Sequence, residues 1–113
     1  MTRYTADPQP TVPVTTPRVS VLMITRNHGA FLAQAIDSVL TQDMVEDLEL
    51  LIGEDGSDDD SAAVCADYSR RFPDRVRVTS SPQGAVGMHA NFRRLLDAAR
   101  GRYLAFLEGD DYW

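Results

Sequence analysis

A chain of 113 residues is long enough for one domain with a modest hydrophobic core. Its 43% hydrophobic and 25% charged residues are ordinary for a globular protein. The net charge of −6, with arginine as the sole strong base and no lysine, excludes the clustered positive surface that nucleic-acid binding needs.

Residues 1–17 are rich in Thr and Pro and poor in large apolar groups. Such a segment cannot bury enough surface to offset its ordering entropy, so it reads as a disordered leader. It lacks the apolar run of a signal peptide, and no later stretch is long enough to span a membrane. The single cysteine, Cys65, excludes an internal disulfide and a cysteine-rich zinc site. The expected location is cytoplasmic, with peripheral association at the inner face of the membrane left open.

Order begins at Val19. Val19 to Ile24 are β-rich and nearly all apolar, as in a strand buried on both faces. Thr25 to Gly29 form a polar break, and a helix follows with Phe31, Leu32, Ala35, Ile36, Val39 and Leu40 at helical spacing. Asp43 to Asp47 make a connection. Leu48, Leu50, Leu51 and Ile52 form a second buried strand, ending at Gly53-Glu54-Asp55-Gly56-Ser57.

A second helix is expected to start near Asp59 to Ser61, to carry Val64, Cys65, Tyr68 and Phe72 on one face and to end at Pro73-Asp74. Val76 and Val78 mark a short third strand. Ser80 to Gly87 read as a loop. A third helix is expected from about Met88 to Arg100, with Gly101 as its C-cap. Tyr103 to Leu107 form a fourth strand, ending in Glu108-Gly109-Asp110-Asp111-Tyr112-Trp113. Strands alternating with helices build parallel sheets with right-handed crossovers, and open sheets of this class bind ligands beyond the carboxyl ends of their strands.

Three strand ends could carry chemistry. Glu108, Asp110 and Asp111 follow the fourth strand, where Gly109 permits a turn. Carboxylates there suit a hard divalent cation, Mg²⁺ or Mn²⁺, although a solvated acidic loop accounts for the spacing equally well. Glu54 and Asp55 end the second strand, where they could accept hydrogen bonds from a base or ribose, while Asp58 to Ser61 suit helix capping. Thr25, Arg26 and Asn27 end the first strand. Asn27 reads as a cap for the next helix, and Arg26 as a phosphate or base contact or a surface arginine. His28 and His89 are isolated and read as solvated loop residues; Gly84 and Gly87 read as turn formers; Cys65 reads as a small core hydrophobe.

Taken together, VSVLMITRN at Val19 to Asn27, LLIGEDGSDD at Leu50 to Asp59 and AARGRYLAFLEGDDYW at Ala98 to Trp113 resemble glycosyltransferase family 2, as does MHANFRRLL before the last. The resemblance covers about residues 18–113. It implies an α/β, Rossmann-like GT-A fold: an open, mainly parallel sheet with helices on both faces, here its N-terminal nucleotide-sugar-binding part. By resemblance, Glu54 contacts the base, Asp55 holds the adjacent loop, Thr25 lines the base pocket, and Arg26 and Asn27 complete the donor site. Asp110 and Asp111 match the DXD-type region that meets ribose and the metal-bound diphosphate, and Glu108 matches the first acidic position of that motif in many members. Glu54 stands where Asp is usual, and Arg26 where Tyr is common.

The resemblance further implies an inverting transfer from a nucleoside diphosphate sugar, most often a UDP-sugar, to a saccharide or lipid-linked acceptor. The cofactor is a divalent cation on Asp110 or Asp111. The family's general base comes from the second half of the domain, so residues 1–113 alone are expected to bind donor weakly at best and to turn over no acceptor. A non-catalytic nucleotide-binding or signalling module is the alternative. A receiver-like module would need acidic residues after the first strand and a late lysine, and this chain has neither.

Overall fold

The computed structural model describes residues 17–42, 47–80 and 84–110. The expected leader, apart from Pro17, lies outside the described residues, as do most of the Asp43 to Asp47 connection and Asp111. The elements are β1 (Val19–Thr25), α1 (Gly29–Leu40), β2 (Leu48–Glu54), α2 (Ser61–Arg71), β3 (Val76–Ser80), α3 (Met88–Ala98) and β4 (Tyr103–Glu108). All strand pairs are parallel, in the order β3-β2-β1-β4. This is the expected open α/β sheet.

The apolar runs in β1 and β2 are explained by their central places. Alternate residues point to opposite faces. Val21 and Met23 of β1, with Leu50 and Ile52 of β2, pack under Leu32, Ala35, Ile36 and Val39 of α1 and Cys65 of α2. Leu22, Ile24 and Leu51 face the other way and pack under Leu95 of α3. Burying one such side chain contributes about 1.5–3 kcal/mol, so the larger α1/α2 layer is the main source of stability. The two layers follow from crossover handedness. The chain moves outward from β1 to β3 through α1 and α2, then returns past β1 through α3, which places α3 on the opposite face.

Two expectations, on Phe31 and on the end of the third helix, change. Phe31 is 56% exposed rather than part of the buried stripe of α1. β4 is an edge among the described strands; Leu104 and Phe106 remain exposed, and Phe106 meets Phe92 of α3 edge to face at 5.2 Å. The third helix stops at Ala98, and Ala99 is extended, so Gly101 is not its C-cap. The chain is drawn out of the helix by buried acceptors at the foot of the sheet. The Arg100 amide donates to Glu49 Oε2 at 2.8 Å and the Gly101 amide to Ser20 Oγ at 2.7 Å. A Cβ on Gly101 would stand 2.6 Å from the Ser20 nitrogen, so the close approach requires glycine.

Glu49 organises that end of the sheet. It is 2% exposed and accepts from Ser20 Oγ at 2.6 Å and from the guanidinium of Arg77 at 2.9 Å. Burial opposes its ionisation, but the hydrogen bonds from Ser20, the Arg100 amide and Arg77, with the Arg77 charge, outweigh it and hold the carboxyl below its ordinary value.

Candidate functional site

The other end of the sheet carries the candidate site. β1 ends between its two neighbours, with Thr25 paired to Glu54 of β2 and Ile24 paired to Glu108 of β4. α1, which follows β1, and α3, which leads into β4, cover opposite faces of the sheet, so a crevice opens at the switch point between the two strands. A cavity of about 370 Å³ occupies it. Thr25, Arg26 and His28 line it from β1 and the following turn, Asp55 from the end of β2, and Glu108 from β4. Met88 and Asn91 of α3 close one side, with Ala85 and Gly87 of the preceding loop.

Asp55 is 4% exposed, and its oxygens accept from the Val86 amide at 2.7 Å and the Gly87 amide at 3.0 Å. Its own amide donates to the Thr25 carbonyl at 3.0 Å. The carboxylate therefore ties the loop before α3 to the tips of β1 and β2. Gly56 (φ 69°) makes this possible, since a Cβ there would meet the Ala85 nitrogen at 2.7 Å.

Glu54 does not line the cavity. It continues the β2 face that carries Leu50 and Ile52, is 3% exposed, and accepts from the Ser57 amide at 2.8 Å. Its charge is felt by Cys65 of α2: burial first, and Glu54 second, push that thiol up to about 12. Consecutive strand residues leave the sheet on opposite sides, so Asp55 rather than Glu54 faces the cavity.

Asn27 does not cap α1 either. Its backbone is left-handed (φ 58°), its Oδ1 accepts from the Asp58 amide at 2.7 Å, and its amide donates to Ser57 Oγ at 2.9 Å. It joins the turn after β1 to the turn after β2. Capping falls to Asp59, which accepts from the Gly29 amide at the start of α1 (3.0 Å) and the Ser61 amide at the start of α2 (2.9 Å). The Ser61 side chain first, then the Ser61 and Gly29 amides, hold the Asp59 carboxyl below its usual value.

At the β4 tip, Glu108 lines the cavity, while Asp110 is not part of the lining; it is 46% exposed, with Oδ2 4.0 Å from Nε2 of His28, which does line the cavity. Gly109 is buried between them and donates its amide to the Ile24 carbonyl at 3.0 Å. Among the described residues, no three His, Cys, Asp or Glu side chains gather as a metal site.

Two cavity residues were not expected: His28, which reads in the sequence as a solvated loop residue, and Asn91. His28 carried a signal in its position, directly beyond the end of a central parallel strand. Asn91 is 2% exposed; its Nδ2 donates to the Gly53 carbonyl at 2.9 Å and its Oδ1 accepts from Arg94 Nε at 2.9 Å. A Cβ on Gly53 would collide with that amide. An asparagine at an apolar helical spacing was the available clue.

A family profile described as Glycosyl transferase family 2 matches residues 20–113. The chain belongs to glycosyl transferase family 2. Over 95 residues it is 33% identical to a Campylobacter jejuni GalNAc(5)-diNAcBac-PP-undecaprenol beta-1,3-glucosyltransferase, covering 84% of this chain and 30% of that protein. The fold matches the mannosyltransferase PcManGT of Pyrobaculum calidifontis, solved with GDP-Man and Mn²⁺, with a TM-score of 0.77 at 21% identity, covering 99% of this chain and 32% of the other. It also matches S. aureus TarS solved with UDP-GlcNAc, with a TM-score of 0.73 at 22% identity, covering 84% and 27%. The family-2 sheet seen here is thus of the GT-A, Rossmann-like type. The chain spans less than a third of the length of these curated relatives, 30% for the C. jejuni protein, 27% for the uncharacterized glycosyltransferase EpsJ of Bacillus subtilis and 10% for the minor teichoic acid biosynthesis protein GgaB of the same organism. No helix among the described residues is long and apolar enough to cross a membrane.

Proposed function

We propose that this family-2 chain binds a nucleoside diphosphate sugar, with uridine as the nucleoside, and serves its transfer to an acceptor hydroxyl with inversion at the anomeric carbon. The observation that carries the reading is the meeting of Thr25, Asp55 and Glu108, from the tips of three adjacent parallel strands, around one cavity at the switch point. Relatives solved with UDP-GlcNAc and with GDP-Man support a nucleotide-sugar donor. The C. jejuni relative, named for an undecaprenol-linked acceptor, supports a saccharide or lipid-linked acceptor and work at the inner membrane face.

In this reading Thr25 and the loop held by Asp55 take the base. Arg26, exposed at the cavity rim, meets the diphosphate or stacks on the base. Asn27 and Glu54 act from behind by fixing the two turns. The donor set at the β4 tip is all oxygen, which fits a Mg²⁺ or Mn²⁺ ion bound by one or two carboxylates and completed by phosphate oxygens. Asp110 would hold it, with Asp111 by resemblance. A cation there supplies charge neutralisation to the departing diphosphate.

The acceptor oxygen forms a bond to the anomeric carbon as the bond to the diphosphate breaks, and the hydroxyl proton passes to a general base. Asp55 is committed to two loop amides, and Glu108 and Asp110 stand where diphosphate and metal are expected. The base is therefore assigned outside the cavity described here.

Calorimetric titration of the full-length protein with UDP and GDP, with and without Mn²⁺, tests the reading. Mn²⁺-dependent UDP binding that is lost in Asp110→Ala supports it; absence of binding to either nucleotide contradicts it. A β-linked product from an α-linked donor establishes inversion. Nucleotide binding without transfer to any acceptor favours the non-catalytic alternative.

A further inference from the structure

We propose that Arg94 is a positioning residue for the donor cavity, which fixes the α3 wall to the tip of β2 and acts on a bound nucleotide without touching it. The inference deepens the donor-site reading above and rests on it.

Three consecutive residues at the tip of β2, Gly53 to Asp55, each bind the α3 side of the cavity. The Gly53 carbonyl accepts from Asn91 Nδ2 at 2.9 Å, the Glu54 carbonyl from Arg94 Nη2 at 3.1 Å, and the Asp55 carboxylate from the Val86 and Gly87 amides. Arg94 Nε donates to Asn91 Oδ1 at 2.9 Å, and its Nη1 donates to the Ser80 carbonyl at 3.2 Å, at the end of β3. One planar guanidinium thus joins two strand tips to the side chain of Asn91. It also orients that side chain. An arginine only donates and a carbonyl only accepts, so Oδ1 must face Arg94 and Nδ2 must face Gly53.

Apolar packing contributes little to this wall. Of α3, only Asn91 and Leu95 are buried, and Met88 at the cavity is 61% exposed. Gly87, the N-cap, has no side chain to offer the first amides of the helix. A first turn without a cap or a buried apolar anchor lies at the low-stability end of a fold and opens locally. Asn91 and Arg94 supply the anchor. The Asn91 amide donates to the Gly87 carbonyl at 2.9 Å, so the anchor reaches the residue whose own amide binds Asp55. Gly53, Asn91, Gly87 and Asp55 close a ring of contacts around the wall.

The two arginines near the site therefore act differently. Arg26 lines the cavity, whereas Arg94 is not among its lining residues. Arg94 works through the placement of Gly87, Met88 and Asn91, which a ligand meets whether or not it carries phosphate. A direct phosphate contact would be felt only by phosphorylated ligands.

Hydrogen exchange of the full-length protein without ligand reads the wall directly. Arg94→Ala is expected to speed exchange of the Gly87 and Asn91 amides about tenfold or more, and to leave Met23 of β1 and Ile52 of β2 within about twofold of wild type. An equal rise at all four, or no rise at Gly87 and Asn91, overturns the inference. Titration in the presence of Mn²⁺ supplies the functional arm. Arg94→Ala is expected to weaken UDP binding about tenfold, and uridine binding by the same factor to within about twofold. If Arg94→Ala does not fold, Arg94→Lys, which keeps the charge but not the fork, is read in its place, with a loss of about threefold for each ligand. UDP binding within about twofold of wild type makes Arg94 a brace of the fold alone and overturns the inference. A loss for UDP at least about fivefold larger than for uridine puts Arg94 on the phosphates and also overturns it. Failure of wild type to bind UDP or GDP with Mn²⁺ contradicts the donor-site reading itself, while the exchange pattern still decides whether Arg94 fixes the wall.

Discussion

The Asp55 carboxylate and the Gly87 amide, 32 positions apart in the chain, meet at 3.0 Å across the mouth of the cavity. With the second bond from Val86, this contact makes the loop before α3 part of the cavity wall. Asp55→Ala is expected to cost about 2–4 kcal/mol, because each hydrogen bond to a buried charged group contributes about 1.5–3 kcal/mol. Urea unfolding measures the loss. Hydrogen exchange localises it, with protection lost at Val86 and Gly87 before β1 and β2.

Glu54 and Asp55 separate two roles that adjacent acidic residues could share. Asp55→Asn is expected to weaken UDP binding about tenfold or more, and Glu54→Gln by less than about twofold. Glu54→Gln acts on the Ser57 turn and appears as lower melting temperature. Parallel titration and thermal unfolding of the two variants check this; equal losses of affinity contradict it.

Glu49 makes stability depend on pH at the acid end. Its folded-state value is depressed, so its contribution is fully present above the unfolded glutamate value of about 4.3 and is lost as pH falls through the folded value. Glu49→Gln is expected to cost about 1–3 kcal/mol at neutral pH. The gap between variant and wild type then narrows as pH falls below 4, as read by urea unfolding at stepped pH.

Much of the fold was legible because the central strands are covered on both faces. Val19 to Ile24 and Leu48 to Ile52 are apolar but for Ser20 and Glu49, a composition that no exposed element would keep. The stripe of α1 was legible at Leu32, Ala35, Ile36 and Val39, but Phe31 has the same periodicity and is exposed. The end of α3 was not legible, since its cause is Glu49 and Ser20, which lie 51 and 81 positions away from the amides they capture. The site shows the same division. Strand tips announced themselves by composition, whereas which of Glu54 and Asp55 faces the cavity depends on strand phase. His28 gained its place only from the contacts of Thr25, Gly109 and Asp110.

Cys65 tests the packing of α2. It is fully buried, and its thiol is pushed up to about 12. Native protein at pH 8 is expected to react with a thiol reagent at least about a thousandfold more slowly than free cysteine, and at the ordinary rate once unfolded. Rapid native labelling contradicts the buried α2 interface.

The central claim is that a nucleoside diphosphate sits beyond the tips of β1, β2 and β4. Amide chemical-shift mapping of the full-length protein with UDP and Mg²⁺ tests it most directly, followed by Mn²⁺ as a paramagnetic probe. Shifts confined to Thr25, Arg26, His28, Ala85, Gly87 and Glu108, with the strongest broadening at Asp110, are the predicted result. Shifts centred on Glu49 and Arg77 at the opposite end of the sheet, or no shifts at saturating UDP, contradict it.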